Sequence, residues 1–85
     1  AALAAVHPDD VPAVLAGRAR ALETGAPLGY EFRGAVPAAD GGHRWFRTRG
    51  QVVRTAAGAP VRIVAVTTEV TDQKRAADER AALDR

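Results

Sequence analysis

Eighty-five residues, with 12 Lys and Arg against 10 Asp and Glu, make at most one small domain of formal charge +2. A chain of this size buries a modest share of its surface, so its core is marginal unless a neighbour covers apolar faces. There is no cysteine, which excludes a disulfide framework, thiolate metal sites and a thiol nucleophile. No apolar run approaches bilayer-spanning length, and the opening AALAAVHPDD lacks the basic region and apolar core of a signal peptide. A soluble, untargeted, cytoplasmic chain without membrane contact is expected. Charge is uneven: residues 1–29 carry two Arg against three acids, residues 30–62 six Arg against two, and residues 63–85 four bases against five acids. A nucleic-acid binder usually shows a stronger surplus.

HPDDVPAVLAGRARALETG reads as a helix with both ends marked. Asp9 and Asp10 stand where an N-cap or first-turn carboxylate meets unpaired N–H groups and the positive end of the dipole. Pro12 suits an early helical position, and Gly25 suits a left-handed cap. Val11, Val14, Leu15, Ala19 and Leu22 recur at helical spacing and predict one core-facing stripe. Gly17 weakens the helix by roughly 1 kcal/mol relative to Ala.

From Pro27 the period changes to two. In LGYEFRGAV, residues Leu28, Tyr30, Phe32 and Val36 predict a strand with one apolar face. PAADGG is a loop with Gly41 and Gly42 available for positive φ. HRWFRTRGQVVRT is a second strand, with Gly50 as a bulge or close-packing point. After the turn TAAGAP, VRIVAVTTEVT is the third. Short turns predict an antiparallel meander, because a parallel partner needs a longer crossover. The second and third strands do not alternate cleanly, so both sheet faces are expected to be covered, one by the helix. Thr71 or Asp72 then caps a final helix, which Ala76, Ala77, Ala81, Ala82 and Leu83 give only a thin apolar stripe. Such a helix is stabilised by packing or by continuing onward.

These pieces in order resemble the second half of a PAS sensor domain, including the PAC segment. They are HPDD opening a helix, TG-x-P ending it, YEFR on a strand, D-G-x-x-R-W on a hairpin, G-x-P-V-R-I-V opening the last strand, and TTEVTDQKR leading into a helix. The family usually has Asp-Ile-Thr where Glu69-Val70-Thr71 stands, and Gly where Ala65 stands; Pro37 to Ala39 lengthen the first hairpin. The resemblance implies an α+β, PAS-like fold: a three-stranded antiparallel meander with one packing helix before it and a C-terminal linker helix. The two strands and short helices that open a full PAS domain are not among these residues. Residues 1–71 would be the partial PAS/PAC sensor domain and 72–85 the signalling linker helix.

The same resemblance places Tyr30, Phe32, Phe46, Thr48, Ile63 and Thr67 on the concave face, where family members hold heme, flavin or small organic ligands. An apolar pocket with a few hydrogen-bonding groups fits that role, and plain core fits the same residues; no cofactor is named. Trp45, Val64, Val66 and Val70 would line the outward face, which in the family packs against a flanking helix or a second PAS domain. A homodimer through the sheet or flanking helices is therefore expected, with an effector such as a histidine kinase or diguanylate cyclase beyond the terminal helix, as in two-component systems. His7 reads as a cap or turn residue beside Pro8 and His43 as a hairpin residue, neither with a ligand partner at metal spacing. Trp45 amid Arg44, Arg47, Arg49 and Arg54 raises a nucleic-acid reading, though Arg on a strand also covers aromatics or pairs with acids. Glu31 and Glu69 lie on different strands without a nucleophile, and no phosphate-binding Gly loop occurs, so no enzymatic activity is expected of the module.

Overall fold

A computed structural model describes residues 2–84. Ala1 and Arg85, the outer limits of the two segments expected above, lie outside the described residues. Short 3-10 turns at Ala2–Ala5 and Pro8–Asp10 precede helix α1, Val11–Thr24. Strands β1 (Leu28–Arg33), β2 (Trp45–Arg54) and β3 (Pro60–Glu69) follow, and helix α2 spans Thr71–Leu83. The sheet is an antiparallel meander in the order β1-β2-β3, as the turn lengths predict.

Helix α1 is entered and left by local chemistry. His7 Nδ1 accepts the Asp9 N–H at 3.1 Å, so His7 is the cap of the turn before the helix. Asp10 holds the N-cap position of α1 without capping it. Its carboxylate instead takes the Arg33 backbone N–H at 2.7 Å and the Arg33 guanidinium at 2.6 and 3.0 Å. At the other end Gly25 has φ 73° and donates to the Ala21 carbonyl at 3.0 Å. Arg54 donates to the carbonyls of Ala21 and Leu22, placing a cation at the negative end of the dipole.

The core-facing stripe of α1 is narrower than its periodicity predicts. Val14 and Ala21 are buried, whereas Leu15 and Leu22 are 47% and 39% exposed. The small residues explain this. A Cβ on Gly17 would lie 3.2 Å from the Tyr30 ring, so α1 meets β1 along Val14, Gly17 and Ala21, and the two leucines, one position on, are rotated about 100° away. Gly17 costs helix propensity and in exchange lets the backbone approach the sheet.

The core joins Val6, Val14 and Phe32, with Leu3, Val11, Tyr30 and Phe46 packed around them. Beyond β1 the chain is shared between two neighbours: the Gly34 N–H donates to Arg44 O and the Ala35 N–H to Ala5 O, each at 2.8 Å. The strand therefore stops at Arg33, and Val36, expected on its apolar face, is 68% exposed. Gly50 is a close-packing point and not a bulge. A Cβ there would lie 2.3 Å from Val64 O and 2.7 Å from the Ala65 Cα and Cβ, so the methyl of Ala65 is tolerated because its partner across the ladder is glycine. The register slips at Val53/Arg54 instead. Every residue of β3 is exposed, so within this chain the expectation that both sheet faces are covered holds only for β1 and part of β2.

Candidate ligand face and the root of the terminal helix

The ladder decides which side chains share a face. Tyr30 pairs with Thr48 and Thr48 with Thr67; Phe32 pairs with Phe46, and Val52 with Ile63. With a period of two, Tyr30, Phe32, Phe46, Thr48, Ile63 and Thr67 all point to the side on which α1 lies. They are not one pocket. Phe32, Phe46 and Thr67, together with Ala5, Gly34, Ala35, Val36 and Arg44, line an apolar cavity of about 220 Å³. Tyr30 lies against α1, where its hydroxyl accepts weakly from Arg18 Nε at 3.4 Å. Thr48 is buried and its hydroxyl meets that of Thr67 at 2.8 Å. Ile63 is 39% exposed beyond the cavity.

Within the cavity the rings of Phe32 and Phe46 stack with centroids 5.5 Å apart, and the Arg44 guanidinium lies 5.2 Å above the Phe46 ring. Sequence reading places Arg44 only in a basic strand. The available signal is spacing, since Arg44 and Phe46 are two residues apart in extended chain and so share a face. Arg44 is also paired: its Nη2 donates to Glu69 Oε1 at 2.7 Å and its Nε to Oε2 at 3.3 Å. Glu69 then accepts the Thr71 hydroxyl at 2.7 Å. Arg44, and after it Thr71, hold the Glu69 carboxyl below its ordinary range.

That bond leads to α2. Thr71 is the first residue of the helix and is buried, and its hydroxyl accepts the Trp45 backbone N–H at 2.9 Å. It therefore fastens the helix to the start of β2, and its side chain does not cap α2. The Val70 N–H donates to Trp45 O at 2.8 Å and the Val70 side chain is buried, so Val70 belongs to this junction. Trp45 faces the opposite side of the sheet, with Lys74 Nζ 4.7 Å from its ring centroid and the Arg33 guanidinium 5.9 Å from it. Lys74 also reaches Glu31 at 3.2 Å, Arg47 reaches Glu31 at 2.7 Å, and Arg75 reaches Asp40 at 2.9 Å. Val64 and Val66 remain 50% and 68% exposed on the outward face.

Of the four arginines that suggested a nucleic-acid track, three are engaged with acids or carbonyls, Arg44 with Glu69, Arg47 with Glu31 and Arg54 with α1, and Arg49 is exposed. The rings of His7 and His43 meet edge to face at 5.5 Å. Among the described residues no group of three or more His, Asp or Glu is placed to hold a metal, and no helix is long and apolar enough to cross a membrane.

The chain is similar to known proteins in sequence and fold. A crystal structure of a sensory box histidine kinase/response regulator from Burkholderia thailandensis E264 superposes with a TM-score of 0.74 at 36% identity, over 94% of this chain and 60% of that one. The PAS domain of a GGDEF family protein from Chromobacterium violaceum ATCC 12472 aligns at 27% identity with a TM-score of 0.41, over 78% of this chain and 59% of that one. An uncharacterized protein, y4lL, of Sinorhizobium fredii (strain NBRC 101917 / NGR234) is 38% identical over 71 residues, 84% of this chain and 8% of that protein. The chain thus spans less than two thirds of each. The family described as PAS fold matches residues 1–67, and the chain belongs to it.

Proposed function

We propose that residues 1–71 act as the PAS/PAC sensor and dimerisation part of a cytoplasmic signalling protein. Residues 72–85 act as the linker helix that carries its state to an effector such as a histidine kinase or diguanylate cyclase, and the module performs no catalysis of its own. The observation that carries this reading is the bonding at the root of α2. Phe46, in the cavity, is the next residue after Trp45, whose backbone N–H and C=O hold Thr71 and Val70. A small ligand that displaced Phe46 would move the attachment of the helix directly, biasing two arrangements of α2. The Burkholderia relative is a sensory box histidine kinase/response regulator, and an output of that kind is consistent with this reading. Hydrogen exchange tests it in the full-length protein. Phe46→Ala and the milder Thr67→Val are expected to speed exchange in residues 71–75; unchanged protection there in both folded variants would remove the coupling.

The bare β3 supports the dimer. A strand exposed along its length, with Val61, Ile63, Val64 and Val66 each at least 39% exposed, invites pairing with another chain. Val66→Glu is expected to convert a dimer to monomer by light scattering; a wild-type monomer at high concentration counts against dimerisation. A second reading is a ligand-free interaction scaffold of the same fold. It rests on the same exposed strand, and is favoured if the dimer persists while native mass spectrometry recovers no small molecule.

A further inference from the structure

We propose that the cavity beside Phe46 takes a small organic acid, an apolar aromatic or branched body ending in a carboxylate, which competes with Glu69 for Arg44 and so loosens Thr71 at the root of α2. This rests on the ligand-binding reading above and adds to it the ligand's chemical class and its route to the helix.

Three observations carry it. The first is the lining: against the rings of Phe32 and Phe46, the polar side chains are Thr67, whose hydroxyl is already engaged with Thr48, and Arg44. A guanidinium has five N–H donors and no acceptor. Arg44 spends Nε and Nη2 on Glu69, and its Nη1 has no partner among the described residues. A ligand with an apolar body is therefore oriented by an acceptor, and a carboxylate matches the planar fork best. The second is size. About 220 Å³ falls below the roughly 300–1,000 Å³ of drug-sized sites, which suits one ring or a short branched chain. The third is the weakness of the pair to be exchanged. The side chains of Arg44 and Glu69 are 44% and 42% exposed, and an ion pair so open to water contributes little. Replacing it costs little, whereas its loss frees the Glu69 carboxylate, the acceptor of the Thr71 hydroxyl, from the guanidinium that holds it in place.

The test titrates the chain with phenylacetate and with phenylacetamide, the same body without charge, following backbone amides by NMR. The acid is expected to bind about tenfold tighter than the amide. Both shift Phe46 and Thr67, and the acid shifts Thr71 and Asp72 further than the amide does. Arg44→Gln brings the two affinities within about twofold, and Arg44→Lys retains part of the preference. Equal binding of acid and amide by the wild type, or an acid preference that survives Arg44→Gln, overturns the organic-acid assignment and leaves the ligand site standing. If neither probe moves the cavity residues, both fall together.

Discussion

The two edges of the sheet are stabilised by different physics. On the β1 side, Val6 bridges to Gly34, the Ala35 N–H bonds back to Ala5, and α1 lays Val14 and Ala21 over the strand. On the β3 side there are nine register pairs with β2, the longest ladder in the molecule, and not one buried residue. Hydrogen bonds contribute modestly net, because water competes for the same groups, whereas apolar burial is the main favourable term. Pairing therefore fixes where β3 lies, and burial fixes what resists being pulled apart. The strand leading into α2 is thus the one this chain holds least firmly.

The largest break in that comparison is Gly50→Val. Its side chain would meet the backbone of Val64 and Ala65, which cannot swing aside as a flexible side chain can. A loss of about 2–4 kcal/mol is expected by chemical denaturation, with β3 amides losing exchange protection before those of β1.

Next is the contrast between Val14→Ala and Val66→Ala. The buried valine is expected to cost about 2 kcal/mol, and the exposed one less than about 0.5 kcal/mol. Should Val66→Ala cost as much as Val14→Ala in concentrated solution but not in dilute solution, a neighbour covers the outward face.

A smaller effect comes from Asp10. The Arg33 side-chain hydrogen bonds draw its pKa from 3.8 down to about 2. Since the folded value lies below the unfolded one, the contribution is complete above about pH 5 and is lost as pH falls through 4 towards 2. Asp10→Asn should lower stability at pH 7 by about 1–2 kcal/mol, discounted for partial exposure. It should also flatten the acid limb of the stability profile measured by urea titration.

The smallest concerns α2. Its root is tied by Lys74 to Glu31 and by Arg75 to Asp40, pairs at least partly in solvent, with Arg47 the first cause lowering Glu31 and the Gly42 N–H the first lowering Asp40. Lys74→Met should change stability by less than about 0.5 kcal/mol. It should also abolish most of the salt sensitivity of helix fraying followed by exchange at residues 72–76.

Much of this was legible in the residues. Period-two spacing marked the strands, Gly25 marked the end of α1, and the quoted runs from HPDD to TTEVTDQKR pointed to the family. The cofacial set from Tyr30 to Thr67 follows once the register is known. The division of that set into one cavity and three bystanders did not follow from periodicity. It depends on Ala5 and the Gly34 to Val36 segment lying beside Phe32 and Phe46, and on α1 covering Tyr30 where Gly17 lies against its ring. Leu15 and Leu22 were misread for the same reason: helical spacing defines a stripe but not the angle at which the stripe meets its neighbour. Asp10 and Thr71 were placed at the right helix starts and given the wrong task, since a capping oxygen is also free to serve a distant strand.

Sequence alone settled the order of elements, the antiparallel meander and the polar character of the last helix, because these follow from local spacing, turn residues and composition. Tertiary structure decided which face α1 buries, that Arg44 joins the cavity to Glu69, and that Thr71 fastens α2 to β2. Each of those is a contact between residues far apart in the chain, and local periodicity carries no information about such distances.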